Sequence, residues 1–323
     1  MTAQNRFSPS NPHTINLPGG RTGHPVIIGR VGTFCAADGV EFSGRAVLNV
    51  LRHLQSLGLE PLLITRIGND AEGRQISQYL EQCGIDLAGI QIDDSLPTSG
   101  GTVTSSEREV PSCAWEALDS KSAVNVIDRI NPPILFHGVT ATSTGTVQNS
   151  LNAVQSRTAV PFFVDFDLGR TKLAAHSVRR ALLGVKWIRA DAEALPELVE
   201  NSGVSTPRSA LDEALKVQAR FALEGIVVGQ RGLPILGVWP DRVARVTISP
   251  PADPSFLPGG RDAATAALIV GLMLGWSVHA MIDRAAQFAF LAGAAAIAER
   301  VDPFVYSAVL EHWFGFESNA VES

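Results

Sequence analysis

The chain has 323 residues, 45% hydrophobic and 18% charged, with a formal net charge of −6 and a pI near 5.7. That length suits one large α/β domain burying roughly three-quarters of its unfolded surface, and an acidic balance with no basic stripe argues against nucleic acid as a partner. Cys35, Cys83 and Cys113 are odd in number and outside any CxxC pattern, so neither a disulfide framework nor a zinc site is expected, and reduced thiols point to a cytoplasmic setting.

Residues 1–22 are polar, lack a continuous apolar stretch, and read as a loose tail before a domain spanning 23–317. Val26-Ile27-Ile28 is a buried strand ending in Gly29. Between Arg45 and Leu57 the apolar positions recur at three- and four-residue steps, predicting a helix that Gly58 stops. The strand Leu62-Leu63-Ile64 follows, then the turn Ile67-Gly68-Asn69-Asp70 and a helix over about 72–83, closed by Gly84. Residues 33–43 and 96–112, the latter carrying Thr102-Val103-Thr104, are expected to form small lid elements.

Strand and helix then alternate: strands at 134–136, 162–164, 187–188 and 226–228, with helices near 147–154, 178–183, 192–199 and 211–222. Short apolar strands separated by helices predict a mostly parallel sheet covered on both faces. Leu233 to Trp239 and Val243 to Ile248 read as a late hairpin, and the proline-rich segment Ser249 to Gly259 as a stiff loop. Ala263 to Leu274 and Ala285 to Ala298 are alanine-rich, nearly uncharged and predicted to be central helices. Neither is apolar over the ~20 residues that span a bilayer. Residues 318–323 read as a solvated end.

The densest chemical signal is Pro258-Gly259-Gly260-Arg261-Asp262, a glycine turn opening a helix. Unpaired N–H groups and the helix dipole at such an end cradle phosphate oxygens, and glycine lets an anion approach the backbone. A carboxylate in the same turn is placed to take the proton of an attacking hydroxyl, or else simply to cap the helix.

This turn resembles the C-terminal signature of the ribokinase-like, PfkB-type carbohydrate kinases, in which a Gly-Ala-Gly-Asp turn opens an alanine-rich helix. A second resemblance lies near the N-terminus: Gly44 and Asn49, the helix ending Leu57-Gly58, Gly68-Asn69-Asp70-Ala71-Glu72-Gly73, and Gly84-Ile85-Asp86. With Asp165 to Arg170 and Gly229-Gln230-Arg231-Gly232, the similarity touches most of the chain from Val26 to Val301. It implies a three-layer α/β/α sandwich with a reduced lid. It also implies ATP and Mg2+ as cofactors and phosphoryl transfer to a hydroxyl of a sugar, nucleoside or related small alcohol.

On this resemblance Asp262 is the general base, and Gly259, Gly260 and Arg261 form the anion hole. Asp38, Gly44, Arg45, Asn49 and Arg170 are substrate-side residues; Gly229, Arg231 and Gly232 lie near the nucleotide. Glu193, at the glutamate of the family's Asn-x-x-Glu, acts on the metal indirectly. The chain departs from the pattern at Arg261 and Arg45, which replace glycines, and at Ala190, which replaces the asparagine. Phe34 falls near the family's strand-end aspartate, for which Asp38 is a substitute, and Gly29 to Gly44 looks too short for a pair of lid strands.

Arg261 has two readings: a phosphate clamp, or a plug that fills the nucleotide pocket or pairs with Asp262 and blunts it as a base. Two functions follow, an active phosphotransferase or a catalytically impaired kinase-fold protein that binds a ligand or protein partner. Gly29-Arg30-Val31-Gly32 is too incomplete to indicate a dinucleotide enzyme, and no P-loop or metal-ligand histidine spacing occurs. No membrane partner is expected, and the chain is expected to be a monomer or a dimer.

Overall fold

The computed structural model describes residues 24–36, 39–43, 45–100, 113–138, 145–166, 175–196, 198, 209–230, 233–246, 259–295 and 303–314. Its centre is a nine-stranded sheet in the order β12-β11-β10-β9-β8-β7-β1-β4-β5. The strands are β1 (Val26–Ile28), β4 (Leu62–Gly68), β5 (Ile90–Asp93), β7 (Leu135–Gly138), β8 (Phe162–Phe166), β9 (Trp187–Asp191), β10 (Gly225–Gln230), β11 (Leu233–Trp239) and β12 (Arg242–Arg245). Pairings from β5 through to β10 are parallel, whereas β11 runs antiparallel to both β10 and β12. The late hairpin is thus present and supplies the sheet edge.

Each apolar strand feeds two cores by alternation, since successive side chains point to opposite faces. Val26 and Ile28 of β1 pack with Leu62, Leu135 and Phe162 on one face. Ile27 packs with Leu63, Phe136 and Phe163 on the other. The first face is covered by α3 (Ser120–Ile130), α4 (Gly145–Arg157), α5 (Ala175–Leu182) and α6 (Ala210–Phe221). The second is covered by α1 (Arg45–Ser56), α2 (Ala71–Gln82), α7 (Gly260–Leu274), α8 (Val278–Ala295) and α9 (Pro303–Phe314). The expected three layers are present. Every residue of α7 from Ala263 to Gly271 is buried, which explains its small, uncharged sequence: only such a helix can be apolar all round and sit in a core.

Several boundaries differ from expectation. α7 begins at Gly260 and α8 at Val278, each before its alanine-rich run. Within 192–199 the chain makes a turn at 192–194 and is helical at 195, 196 and 198, with 197 and 199 outside the described residues. Two helices were not anticipated. Asp119 caps α3 by accepting from the N–H groups of Lys121 and Ser122, and Asn131 ends it in the left-handed region at φ 49°. Helix α9 buries Tyr306, Val309, Leu310 and Trp313 at helical spacing.

Gly29 to Gly44 corrects the expectation more sharply. It holds two five-residue strands, β2 (Gly32–Ala36) and β3 (Gly39–Ser43), paired antiparallel and separated by only two positions of sequence. Such a hairpin fits a segment judged too short because the link consumes almost no chain. β6 (Ser99–Gly100) adds in parallel to β2 and completes a small three-stranded sheet at the place of the expected lid. Residues 101–112, the rest of the expected lid segment, lie outside the described residues.

The foot of this lid is pinned at one node. The Asp70 carboxylate accepts from the Gly73 N–H at 2.7 Å, the Thr98 N–H at 2.7 Å and the Thr98 hydroxyl at 2.6 Å. Burial opposes ionisation of Asp70, but these bonds hold its carboxyl below the ordinary range. A Cβ on Gly68 would stand 2.6 Å from the Leu96 carbonyl oxygen and the Thr98 nitrogen, so only glycine admits this close return of the chain. Asp93, at the end of β5, accepts from the N–H groups of Ser95 and Leu96 at 2.9 Å and pairs with Arg66 at 2.8 Å.

Candidate active site

The site is built where α7 begins, against the carboxyl ends of β8 and β9. Gly259 precedes the helix with φ 88°, a left-handed conformation open to glycine at little cost, and a Cβ there would meet nothing within 4 Å. The first N–H groups of an α-helix have no partner within it. The start of α7 therefore offers backbone donors beside open space, a fitting cradle for an anion.

Asp262 lies in the first turn of α7, half-buried. Its Oδ2 accepts from the Asn49 side-chain amide at 2.8 Å, a bond joining α1 to α7 across 213 residues of sequence. Burial raises the Asp262 pKa to about 6; the neighbouring Asp165 charge adds to the rise, while Asn49, Arg189 and Arg261 oppose it. The carboxylate is therefore mostly ionised at neutral pH yet remains a usable proton acceptor.

Arg261 turns away from Asp262 toward the sheet. Its Nη2 donates to Asp165 Oδ1 at 2.6 Å and its Nε to Asp165 Oδ2 at 3.4 Å, while Nη1 pairs with Asp191. Beneath it, Arg189 of β9 is fully buried, with Nη1 3.2 Å from Asp165 Oδ2 and Nη2 3.7 Å from Asp191 Oδ1. Thr265, one turn into α7, donates its hydroxyl to Asp165 at 3.2 Å. Burial works against ionisation of Asp165, but Arg261 and Arg189 hold its carboxyl below the usual range. Two guanidinium groups and two carboxylates thus form a neutral quartet that binds the helix start to the sheet.

The quartet explains two sequence features. Strand alternation sends Arg189 and Asp191 to the α7 side and Ala190 into the opposite core, where it is fully buried. Gly229 of β10 lies against the quartet, for a Cβ there would stand 2.7 Å from Asp191 and 3.3 Å from Arg189. The ladder shifts register between Val228 and Gly229, and the Gly229 carbonyl accepts from the Ala192 N–H at 2.7 Å.

The sequence-predicted residues therefore fall into three groups. Asn49, Gly259, Gly260, Arg261 and Asp262 meet at the helix start, and Gly229 stands behind Asp191. Glu193 is exposed in the turn after β9. Arg45 opens α1 and Phe34 lies within β2, but their side chains, like Asp38, Gly44, Arg170, Arg231 and Gly232, lie outside the described residues. Sequence reasoning missed Arg189, Asp191 and Thr265 and passed over Asp165. The available signal was a charged residue inside or ending an apolar strand, in Phe162-Phe163-Val164-Asp165 and Trp187-Ile188-Arg189.

The model of the pfkB family of carbohydrate kinases matches residues 38–228, more than half of the chain, ending before the glycine turn. Aminoimidazole riboside kinase from Salmonella enterica superposes with a TM-score of 0.68 at 16% identity, over 91% of this chain and 100% of that one. A candidate ribokinase II from E. coli, in complex with ATP and Mg2+, gives 0.65 at 14% identity, over 90% and 99%. Fructokinase from Vibrio cholerae O395, bound to fructose, ADP and calcium ion, gives 0.64 at 19% identity, over 90% and 98%. No curated protein sequence matches the chain. These matches carry the three-layer fold, and the family match, together with the sequence motifs, places the chain in the pfkB family of carbohydrate kinases.

Proposed function

We propose that this chain transfers the γ-phosphoryl group of ATP to a hydroxyl of a sugar, nucleoside or related small alcohol, with Asp262 as general base. The observation that carries this is Asp262 itself: oriented by Asn49 at 2.8 Å, with a pKa of about 6, at the start of a helix whose glycine turn faces open space. The neighbours seen with ATP and Mg2+, with aminoimidazole riboside and an ATP analogue, and with fructose and ADP support the same class.

The residues divide the work. The N–H groups of the turn at Gly259 to Asp262 hold the transferring phosphoryl oxygens. Asn49 fixes the carboxylate from α1, and Asp38, Gly44, Arg45 and Arg170 select the acceptor. The segment Gly229 to Gly232 borders the nucleotide. Asp262 Oδ accepts the acceptor's proton as its oxygen bonds to the γ-phosphorus, and the bond from that phosphorus to the β–γ bridging oxygen breaks to release ADP.

The site fits ATP better than it fits a metal held directly by protein. The carboxylates nearest the turn, Asp165 and Asp191, are ion-paired, and no group of three or more His, Cys, Asp or Glu able to hold a metal occurs among the described residues. Glu193 would then meet Mg2+ only through water, and the ion, carried on the phosphates, would supply neutralisation of the polyphosphate charge. We take 23–317 as one catalytic unit between the tails 1–22 and 318–323, working in the cytoplasm on small molecules. No helix among the described residues is long and apolar enough to cross a membrane.

A panel of sugars and nucleosides with ATP and Mg2+ tests this reading. Asp262→Asn is expected to lower turnover about 10²- to 10⁴-fold while keeping ATP affinity; retained turnover removes Asp262 as the base. A second reading, ligand binding without transfer, rests on Arg261, whose side chain replaces a glycine at the turn. Tight nucleotide binding with no turnover of any acceptor would favour it.

A further inference from the structure

The charged quartet, rather than the turn, supports a further step. Asp165 and Asp191 approach the start of α7 from the ends of adjacent strands, the same start that would hold phosphate. Carboxylates converging beside a phosphate site commonly receive a divalent cation. Here the guanidinium of Arg261 already bridges them, contacting Asp165 through Nε and Nη2 and Asp191 through Nη1.

The charges decide what this does. With Arg189 and Arg261 the quartet sums to zero. Without Arg261 it would carry one net negative charge, and ionised Asp262 in the next position would add a second. An incoming phosphate would then be repelled until a cation arrived. A guanidinium stays protonated at any working pH and, being covalently attached, does not dissociate. Its side chain is 17% exposed and its contact with Asp165 is bidentate, so it is held rather than loosely poised.

Resting on the phosphotransfer reading, we propose that Arg261 is a built-in substitute for a divalent cation at Asp165 and Asp191, allowing nucleotide phosphates to settle on the glycine turn with little dependence on metal. Mg2+ keeps its part in the transfer step; what changes is its part in binding.

Two measurements test this on the full chain. In calorimetric titration with ADP, wild-type affinity is expected to differ less than about threefold between Mg2+ and EDTA. Arg261→Gln, which removes the charge, is expected to lose more than about tenfold in EDTA, and Arg261→Lys to behave like wild type. In a Mn2+ titration of nucleotide-free protein followed by electron paramagnetic resonance, Arg261→Gln is expected to gain one bound ion absent from wild type. That ion is expected to be lost again when Asp191→Asn is added.

Equal metal dependence of ADP binding in wild type and Arg261→Gln overturns the proposal, as does a folded Arg261→Gln that takes up no Mn2+. If Arg261→Gln does not fold, a tenfold or greater Mg2+ dependence in wild type alone overturns it. If no form binds ADP under either condition, the phosphotransfer reading and the nucleotide half of the proposal fall together. The Mn2+ titration then still decides whether Arg261 fills a cation position.

Discussion

Two pairs of aspartates in this fold are satisfied by different balances of donors. At the foot of the lid, the N–H groups of Gly73, Ser95, Leu96 and Thr98 and the hydroxyls of Ser95 and Thr98 hold Asp70 and one oxygen of Asp93, and a single guanidinium, Arg66, takes the other oxygen of Asp93. At the candidate site, Asp165 and Asp191 are held by guanidinium groups, one arriving from 96 and 70 residues away. Backbone donors come with the fold and survive side-chain substitution, so the lid joint is robust. Guanidinium donors depend on two single residues, and either can be replaced without altering the main chain. The fold can thus re-tune the charge beside its candidate phosphate cradle while leaving the lid joint untouched.

Removing a buried partner is the severest way to break this contrast. Arg189→Ala leaves Asp165 and Asp191 facing one guanidinium and opens space beneath it, and it is expected to cost about 3–5 kcal/mol in urea unfolding. A change at the lid foot should cost less: Asp70→Ala removes a helix cap and the anchor of Thr98, an expected loss of about 1–3 kcal/mol. Equal losses at the two places would erase the distinction.

The pH dependence separates the regions by sign. Asp262 has its pKa raised from 3.8 to about 6 in the folded chain, so between these values the folded state binds more protons than the unfolded one. Its contribution to stability falls as pH rises through that window, and the full penalty is present above pH 6. Asp262→Asn is accordingly expected to be neutral near pH 4 and stabilising by up to about 3 kcal/mol at pH 8, read from thermal melts at both values. Asp70 and Asp93 have lowered pKa values. They stabilise above the unfolded carboxylate pKa and lose that contribution as pH falls through their folded values, so Asp93→Asn is expected to flatten the acid side of the stability curve. The smallest predicted effect is kinetic in form: kcat/KM should rise with pH and level off above about pH 6 as Asp262 ionises, and an ascending limb centred elsewhere would point to another base.

Legibility in the sequence follows the range of the interactions. The parallel strands were readable because each is a short apolar run between breakers, and the glycine turn because its residues are consecutive. Asn49 and Asp262 were each nameable through family resemblance, but their bond spans 213 residues and has no local signature. The quartet was hidden for the same reason, since nothing near Arg261 indicates that Asp165 and Asp191 will receive it. The lid hairpin was missed because Thr33, Phe34 and Cys35 stand among small and polar neighbours that resemble a loop. Helix α9 had the right spacing at Tyr306, Val309, Leu310 and Trp313, but the exposed Phe304 blurs its polar face.

The unbroken burial of α7 from Ala263 to Gly271 has a consequence for motion. Amide protons in such a helix exchange with solvent only when the surrounding core opens, so their protection is expected to approach that of global unfolding. Asp262 stands one residue before this stretch. The proposed base is thus mounted on one of the slowest-opening parts of the molecule, and on that reading its partners must come to it. Rearrangements on ligand binding should therefore be sought away from the start of α7, which serves as the fixed reference.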